Sequence, residues 1–314
     1  MGEQTSVVTQ AGERAAARPA LEHGARPTQG LYRRAWGRFR HDRLAMGSLI
    51  LLLAIVGFSV GAPVVSNLTG FSPSENHLPE KLSKPGENGY VLGSDANGRD
   101  ILTRLAYGGR VSLLVAICGT IAQIVLGLGL GLTAGYFGKW VDSVIMRLVD
   151  VMFSIPSLAL LILISTLYTP GVLALAVIIG LISWPGDARL IRGEVLSLRA
   201  RDYVEAARVI GATNARIIFQ HILPNVMAPA ITLASIGLGA AILAESSLSF
   251  LGLGVPPDVP TWGGMLAGGG RRWMLQAWWM AVFPGLVLSL TVYGFNMLGD
   301  ALRDLLDPRL RGSR

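Results

Sequence analysis

Charged side chains are scarce in this sequence, and long stretches have none at all. Only 15% of the 314 residues are Asp, Glu, Lys or Arg, where a soluble domain carries about a quarter. None lies between Leu44 and Ser74. The start of that stretch, LAMGSLILLLAIVGFSVGAPVV, supplies the roughly 20 apolar residues that a helix needs to cross a bilayer. Cysteine is nearly missing too. Cys118 is the only one, so no intrachain disulfide can form, and its apolar neighbours mark it as a small hydrophobe. The four histidines lie far apart, and no Cys/His group has metal-ligand spacing. No G-x-x-x-x-G-K-[ST] phosphate loop occurs, because the only Gly-Lys pair, Gly138-Lys139, runs into Trp140. No nucleophile-plus-base constellation stands out. These absences argue against an enzyme, and against a chain that is its own ATPase.

What is present is apolar and segmented. The Leu44 run is too long, and begins too far along the chain, for a cleaved signal peptide, so it reads as an anchor helix. Val111–Gly138 makes a second span. Val151–Gly186 is also uncharged, but as one helix it would reach about 54 Å. The Tyr168-Thr169-Pro170-Gly171 breakers divide it into two spans, the first starting near Val144. A fifth span is predicted from about Val226 to Leu251 and a sixth from about Met280 to Leu298. The expected architecture is therefore an all-α integral membrane protein with six transmembrane helices. Its parts are a 1–43 arginine-rich tail, a first span at 44–66, an outer segment at 67–106, a core at 107–302 and a tail at 303–314. Tail residues up to about Gly30 have a disordered composition, and LYRRAWGRFRHDR suits an interfacial segment.

The net charge of +7 raises nucleic-acid binding, but the basic residues are split among several loops. With the N-terminus inside, 20 of the 27 Lys and Arg residues fall on cytoplasmic segments. That is the pattern of a six-span membrane protein with both termini in the cytoplasm. Trp273, Trp278 and Trp279 read as an interfacial belt on the outer side. Gly127, Gly129, Gly131 and Gly135 suit close helix packing.

The 187–224 segment, DARLIRGEVLSLRARDYVEAARVIGATNARIIFQHILPN, is polar and arginine-rich. Leu198, Val204, Ala207 and Ile210 can share one face of a short amphipathic helix. Gly211 suits its end, Thr213 or Asn214 can cap a second helix, and Pro224 opens the next span. A solvated loop and a docking element both fit that pattern. Two further places invite chemistry. Asp95–Asp100, DANGRD, lacks the twelve-residue loop and terminal Glu of a calcium-binding EF-hand, and reads as an Asn-Gly turn before a helix. Glu245 is the one acidic residue read well inside a span, either a functional intramembrane carboxylate or a tie between helices.

Several of these segments carry a resemblance. Glu205-Ala206-Ala207, then Gly211, then Leu223-Pro224 resembles the EAA loop of binding-protein-dependent ABC permeases, whose pattern is E-A-A, three residues, G, nine residues, I-x-L-P. His221 stands at the isoleucine place, with Ile222 beside it. LGSDANGRDILTRLAYGGRVSL (92–113), LSFLGLGVPPDVPTWGGML (248–266) and GDALRDLLDPRLR (299–311) are similar to signatures of the dipeptide/oligopeptide/nickel permease family, C-type subunit. Ser94, Thr103 and Gly109 are mild departures.

The resemblance implies a type I ABC importer permease for short peptides. It implies coupling to ATPase subunits through Asp202, Tyr203, Glu205, Ala206, Ala207, Gly211, Leu223 and Pro224. It also implies a B-type permease partner and an extracytoplasmic substrate-binding protein, with ATP and Mg on the ATPase subunits and no cofactor on this chain. Nickel, glutathione or oligosaccharide substrates stay open. A membrane sensor or scaffold is the alternative from another class, and an intramembrane enzyme the third.

Overall fold

The computed structural model describes residues 40–270, 273 and 275–306. The arginine-rich tail up to residue 39, with most of its interfacial stretch, and residues 307–314 lie outside the described residues.

Helix α1 (Arg43–Val60) starts at Asp42, whose carboxylate accepts the amides of Leu44 at 2.9 Å and Ala45 at 3.2 Å. Gly61 interrupts the rod, and α2 (Ala62–Thr69) continues it to Gly70, a left-handed stop. The next long helix, α3 (Ile101–Phe137), begins ten residues before the expected Val111. Asp100 is its cap, accepting the Thr103 amide at 2.7 Å. At about 55 Å, α3 is longer than a bilayer core and projects from the membrane.

The third span is not the single rod expected. It consists of α4 (Lys139–Ser154) and α5 (Ser157–Leu167), bent by 78° at Ile155-Pro156. Proline removes a ladder bond and pushes its predecessor into extended backbone, and Ile155 is extended. The 168–171 breakers do separate α5 from α6 (Val172–Arg199). That helix runs through Pro185 and on past residue 187. It can do so because its charges are matched: Arg189 pairs with Asp150 and Arg192 with Asp142, both on α4.

After α7 (Asp202–Val209) and the single turn α8 (Asn214–Arg216), a π-helical turn (Ile217–Ile222) feeds α9 (Leu223–Phe250). Pro224 cannot donate to the carbonyl four residues back. The turn upstream is widened, and the Leu223 amide reaches five residues back to Ile218. Short helix α10 (Trp262–Gly270) and α11 (Trp279–Leu306) complete the chain. Among the described residues, five helices are long and apolar enough to cross a membrane, and the bent α4–α5 pair, counted as one span, brings the number to six.

The centre of the bundle is the α3–α6 contact. A side chain built on Gly127 would sit 2.6 Å from Asp187 Cβ, on Gly131 2.8 Å from Ile191 Cβ, and on Gly135 2.7 Å from Val195 Cβ. Three of the four predicted glycines therefore let the two helices approach; Gly129 faces open space.

Candidate functional site

Two regions at opposite ends of the bundle hold the sequence's informative residues. The first is built on α7. Its inner face is Val204 and Ala207, both buried. They pack with Tyr136 of α3, Val195 of α6, and Ile217 and Ile222 of the π-helical turn. Ala212 N donates to Ala207 O and Gly211 N to Arg208 O, each at 3.0 Å, which is the Schellman closure of a helix. It needs a left-handed residue, and Gly211 supplies it with φ +83°. Thr213 then caps the next turn, accepting the Arg216 amide at 3.3 Å. The Tyr136 hydroxyl fixes that cap to α3 by donating to Asn214 Oδ1 at 2.7 Å.

Of the predicted coupling residues, Asp202, Tyr203, Glu205, Ala206, Gly211 and Pro224 are exposed, Leu223 is half-buried, and Ala207 is turned into the chain's own core. The predicted face of Leu198, Val204, Ala207 and Ile210 is corrected in part. Leu198 belongs to α6, and Ile210, beyond the last α7 residue, points outwards. Val209 and Ile210 are 86% and 84% exposed. Two large β-branched side chains thus stand on the tip of a rigid turn, a feature that the motif spelling E-A-A…G did not single out.

The second region surrounds Glu245, which is fully buried near the far end of α9. Ser249 donates to Oε1 at 2.7 Å, and Ser112 of α3 and Ser246 donate to Oε2 at 3.3 Å. Ser112 Oγ also accepts the Trp262 amide at 3.3 Å, at the start of α10. One carboxylate thus ties α3, α9 and α10 together, with hydroxyls in place of a cation. Gly263 has no room for a side chain against the Ser246 backbone. Trp262 is buried and donates from Nε1 to Leu105 O at 3.0 Å.

Glu245 is not the only acid within a long helix. Asp187 is buried on α6 and accepts from Gln123 Nε2 at 2.8 Å. The uncharged run before it hid this pairing, since nothing in the sequence showed that α6 continues.

The segment between α2 and α3 is ordered by its own contacts. Phe71 stacks on Tyr90 with centroids 4.4 Å apart. Tyr90 Oη lies 2.8 Å from Glu80 Oε2 and 3.0 Å from Gly98 O. Burial, then the bond to Glu80, holds the phenol well above its ordinary range. Burial likewise raises the Asp100 carboxyl. The predicted DANGRD turn is present, with Asp95 Oδ1 accepting the amides of Asn97 at 2.8 Å and Arg99 at 2.9 Å.

Of the predicted tryptophan belt, only Trp278 is exposed. Trp273 is half-buried, and Trp279 is buried, donating from Nε1 to Ser94 O at 3.1 Å. Trp279 fits because Gly93 has no side chain to meet it.

A bundle of membrane-length helices with a helix–turn–helix at one end defines a multi-pass membrane protein. Comparison with known proteins makes the assignment specific. Residues 127–312 match the family "Binding-protein-dependent transport system inner membrane component", and residues 30–85 match the N-terminal transmembrane domain of oligopeptide transport permease C. The chain is 39% identical to the dipeptide transport system permease protein DppC of Alkalihalophilus pseudofirmus, covering 89% of this chain and 90% of that one. It is 39% identical to the oligopeptide transport system permease protein OppC of Escherichia coli K12, covering 90% and 93%. An inward-facing structure of the MetNI methionine ABC transporter aligns with TM-score 0.52 at 20% identity, covering 64% of this chain and 94% of that one, and so shares the fold. The chain therefore belongs to the binding-protein-dependent permease family, among the C-type subunits of its dipeptide/oligopeptide/nickel group, with the type I permease fold.

Proposed function

We propose that this chain is one half of the translocation path of an ATP-driven importer of short peptides, and that it passes the closure of a cytoplasmic ATPase to the membrane through α7. The substrate class is supported by relatives named for dipeptides and oligopeptides at 39% identity over nine-tenths of their length. The observation that carries the coupling is the exposure of Val209 and Ile210 on a turn locked to α3, α6 and the start of α9. Two exposed aliphatic side chains at a rigid tip suit a cleft on another protein, whose fit would bury them.

The partners are a B-type permease subunit, two ATPase subunits or domains that bind ATP and magnesium, and an extracytoplasmic substrate-binding protein. The α7 end faces the cytoplasm, with both termini on that side. Within the docking face, Asp202, Tyr203, Glu205 and Ala206 flank the tip. Ala207, Gly211, Leu223 and Pro224 act behind it, setting its geometry and its link to α9.

The test is peptide uptake and peptide-stimulated ATP hydrolysis by the four-part complex in liposomes, beside co-purification of the ATPase subunits. Val209→Asp with Ile210→Asp is expected to abolish co-purification and both activities while leaving the permease pair intact. Full activity in that variant ends the docking assignment. In a Cys118→Ser background, an impermeant maleimide added from outside is expected to label Val91→Cys, which is exposed, and to spare Thr213→Cys. The reverse pattern ends the orientation.

A further inference from the structure

At the α10 end, residues of the DANGRD turn, α3, α10 and the start of α11 surround a cavity of about 250 Å³. Two charged side chains line it, and neither is fully matched. Arg104 is only 7% exposed, yet its guanidinium makes a single hydrogen bond, from Nη1 to Pro73 O at 2.8 Å. Asp95 uses Oδ1 to close the turn, and its Oδ2 lies 3.8 Å from Arg104 Nε. That separation is beyond a hydrogen bond. Asp95 Oδ2, Arg104 Nε and Arg104 Nη2 have no hydrogen-bond partner among the described residues, and they are not sealed from solvent. A desolvated charge left short of partners is costly, so a nearly buried guanidinium normally has its N–H groups matched.

The rest of the wall is of another kind. Ile101, Met265 and Met280 are buried and Trp273 is half-buried, which makes an apolar floor beside the charged pair. Methionine side chains adapt to apolar groups of different shape. Gly264 and Gly268, one turn apart on α10, are exposed and keep one side open. A side chain built on Gly268 would meet no atom within 4 Å.

Charge and size together select the occupant. An anion alone is repelled by Asp95, and a cation alone by Arg104. A molecule carrying both signs satisfies both, its carboxylate accepting from the guanidinium and its ammonium donating to Asp95 Oδ2. With hydrogen bonds of about 2.9 Å on either side, a base of 3.8 Å matches two charges carried on a single Cα. In a dipeptide the two termini stand a further Cα step apart, about 3.8 Å. The cavity is also smaller than the roughly 300–1,000 Å³ of most small-molecule sites. One amino acid fits it, and a peptide of arbitrary side chains does not.

We infer that this cavity is a binding site for a free α-amino acid with an apolar side chain, held by Arg104 and Asp95 over the Ile101, Met265, Trp273 and Met280 floor. The inference needs only the fold, so it stands apart from the peptide-import reading. A bound amino acid would join the DANGRD turn and α3 to α10 and α11. The DANGRD motif and the arginine after it then serve a ligand as well as a helix start.

The test uses the full chain, purified in detergent with its co-expressed permease partner, and tritiated L-leucine or L-methionine as the probe. Saturable binding of one amino acid per chain is expected, with a melting temperature that rises with ligand concentration. Leucinamide lacks the carboxylate, isocaproate the ammonium, and the dipeptide Leu-Leu the single-Cα spacing. Each is expected to compete with leucine at least about tenfold more weakly. Gly268→Leu adds bulk to the cavity wall without a clash at Cβ, and Asp95→Asn keeps the oxygen that closes the turn. Both variants are expected to melt like the wild type without ligand, and to bind leucine at least about tenfold more weakly. No saturable binding of either probe, equal competition from Leu-Leu, or unchanged binding in both variants overturns the inference.

Discussion

The two ends of the bundle use the same small residues for opposite purposes. At the α10 end, glycine lets helices collapse onto one another. Gly263 sits on the Ser246 backbone, and Gly109 admits Ser59 and the Trp262 ring. The polar groups there are turned inwards and satisfy one another around Glu245. At the α7 end, Gly211 has open space around it and contributes only its left-handed backbone. The Schellman closure it permits holds Val209 and Ile210 out in solvent. Packing depends on the room a glycine leaves, and display depends on the angle it allows. Hydrophobic residues left exposed beside such a turn are the better pointer to a partner.

Substitutions that fill space should separate the two ends most sharply. Gly263→Val is expected to block the seating of α10 on α9 and remove most of the folded protein, since overpacking of this kind costs about 1–3 kcal/mol and more where only backbone can yield. Gly211→Ala meets no neighbour and carries only the strain of a positive φ, about 1–2 kcal/mol. Size-exclusion profiles and melting in detergent measure both. Equal losses would erase the distinction between room and angle.

Next in size is the carboxylate. Glu245→Leu leaves the Ser112, Ser246 and Ser249 hydroxyls without their shared acceptor, at about 1–3 kcal/mol for an unsatisfied buried group. Glu245→Gln keeps an acceptor of similar shape and is expected to melt closer to the wild type. If both variants melt alike but only wild type transports, the charge itself matters and the tie between helices is the lesser role.

At the other end, Ala206→Trp and Ala207→Trp should part company. Ala206 is exposed, so its bulk is expected to leave stability within about 0.5 kcal/mol and weaken ATPase co-purification. Ala207 is buried against the chain's own core, so its tryptophan is expected to lower the melting temperature first. Loss of ATPase from Ala207→Trp with unchanged melting would show that the residue faces the partner after all.

The smallest expected difference lies along α3. Gly129→Ala enters open space and is expected to raise helix stability by up to about 1 kcal/mol, whereas Gly127→Ala meets Asp187 Cβ and lowers it. Equal effects in a melting comparison would mean that the α3–α6 contact is looser than these distances require.

Much of this was legible in the order of residues alone. Hydrophobic runs set against breakers located the 168–171 turn, and the coincidence of E-A-A, Gly211 and Leu-Pro marked the α7 region. Asp100 announced a helix start, although the uncharged-run criterion delayed α3 by ten residues, because Arg104 and Arg110 interrupt the apolar run but not the helix. The same criterion stopped α6 at residue 186, since the aspartates of α4 that neutralise Arg189 and Arg192 are some 40 to 50 positions away. Trp279 looked interfacial because aromatic residues near a span end usually are, and Gly93, its socket, is 186 positions distant in the chain.

The sequence by itself determined what composition and local chemistry control. These are the six apolar spans, the breakers at 168–171, the helix end at Gly211, and the membership of a permease family. Tertiary structure alone decided which faces those helices present. It turned Ala207 inwards and Val209 and Ile210 outwards, and folded Glu245 and Asp187 into hydroxyl and amide partners. The reason is that a cluster of breakers such as 168–171, or a left-handed stop such as Gly211, acts through a few adjacent residues. Burial and the pairing of a buried polar group depend on which distant segment arrives opposite, and no local pattern carries that information.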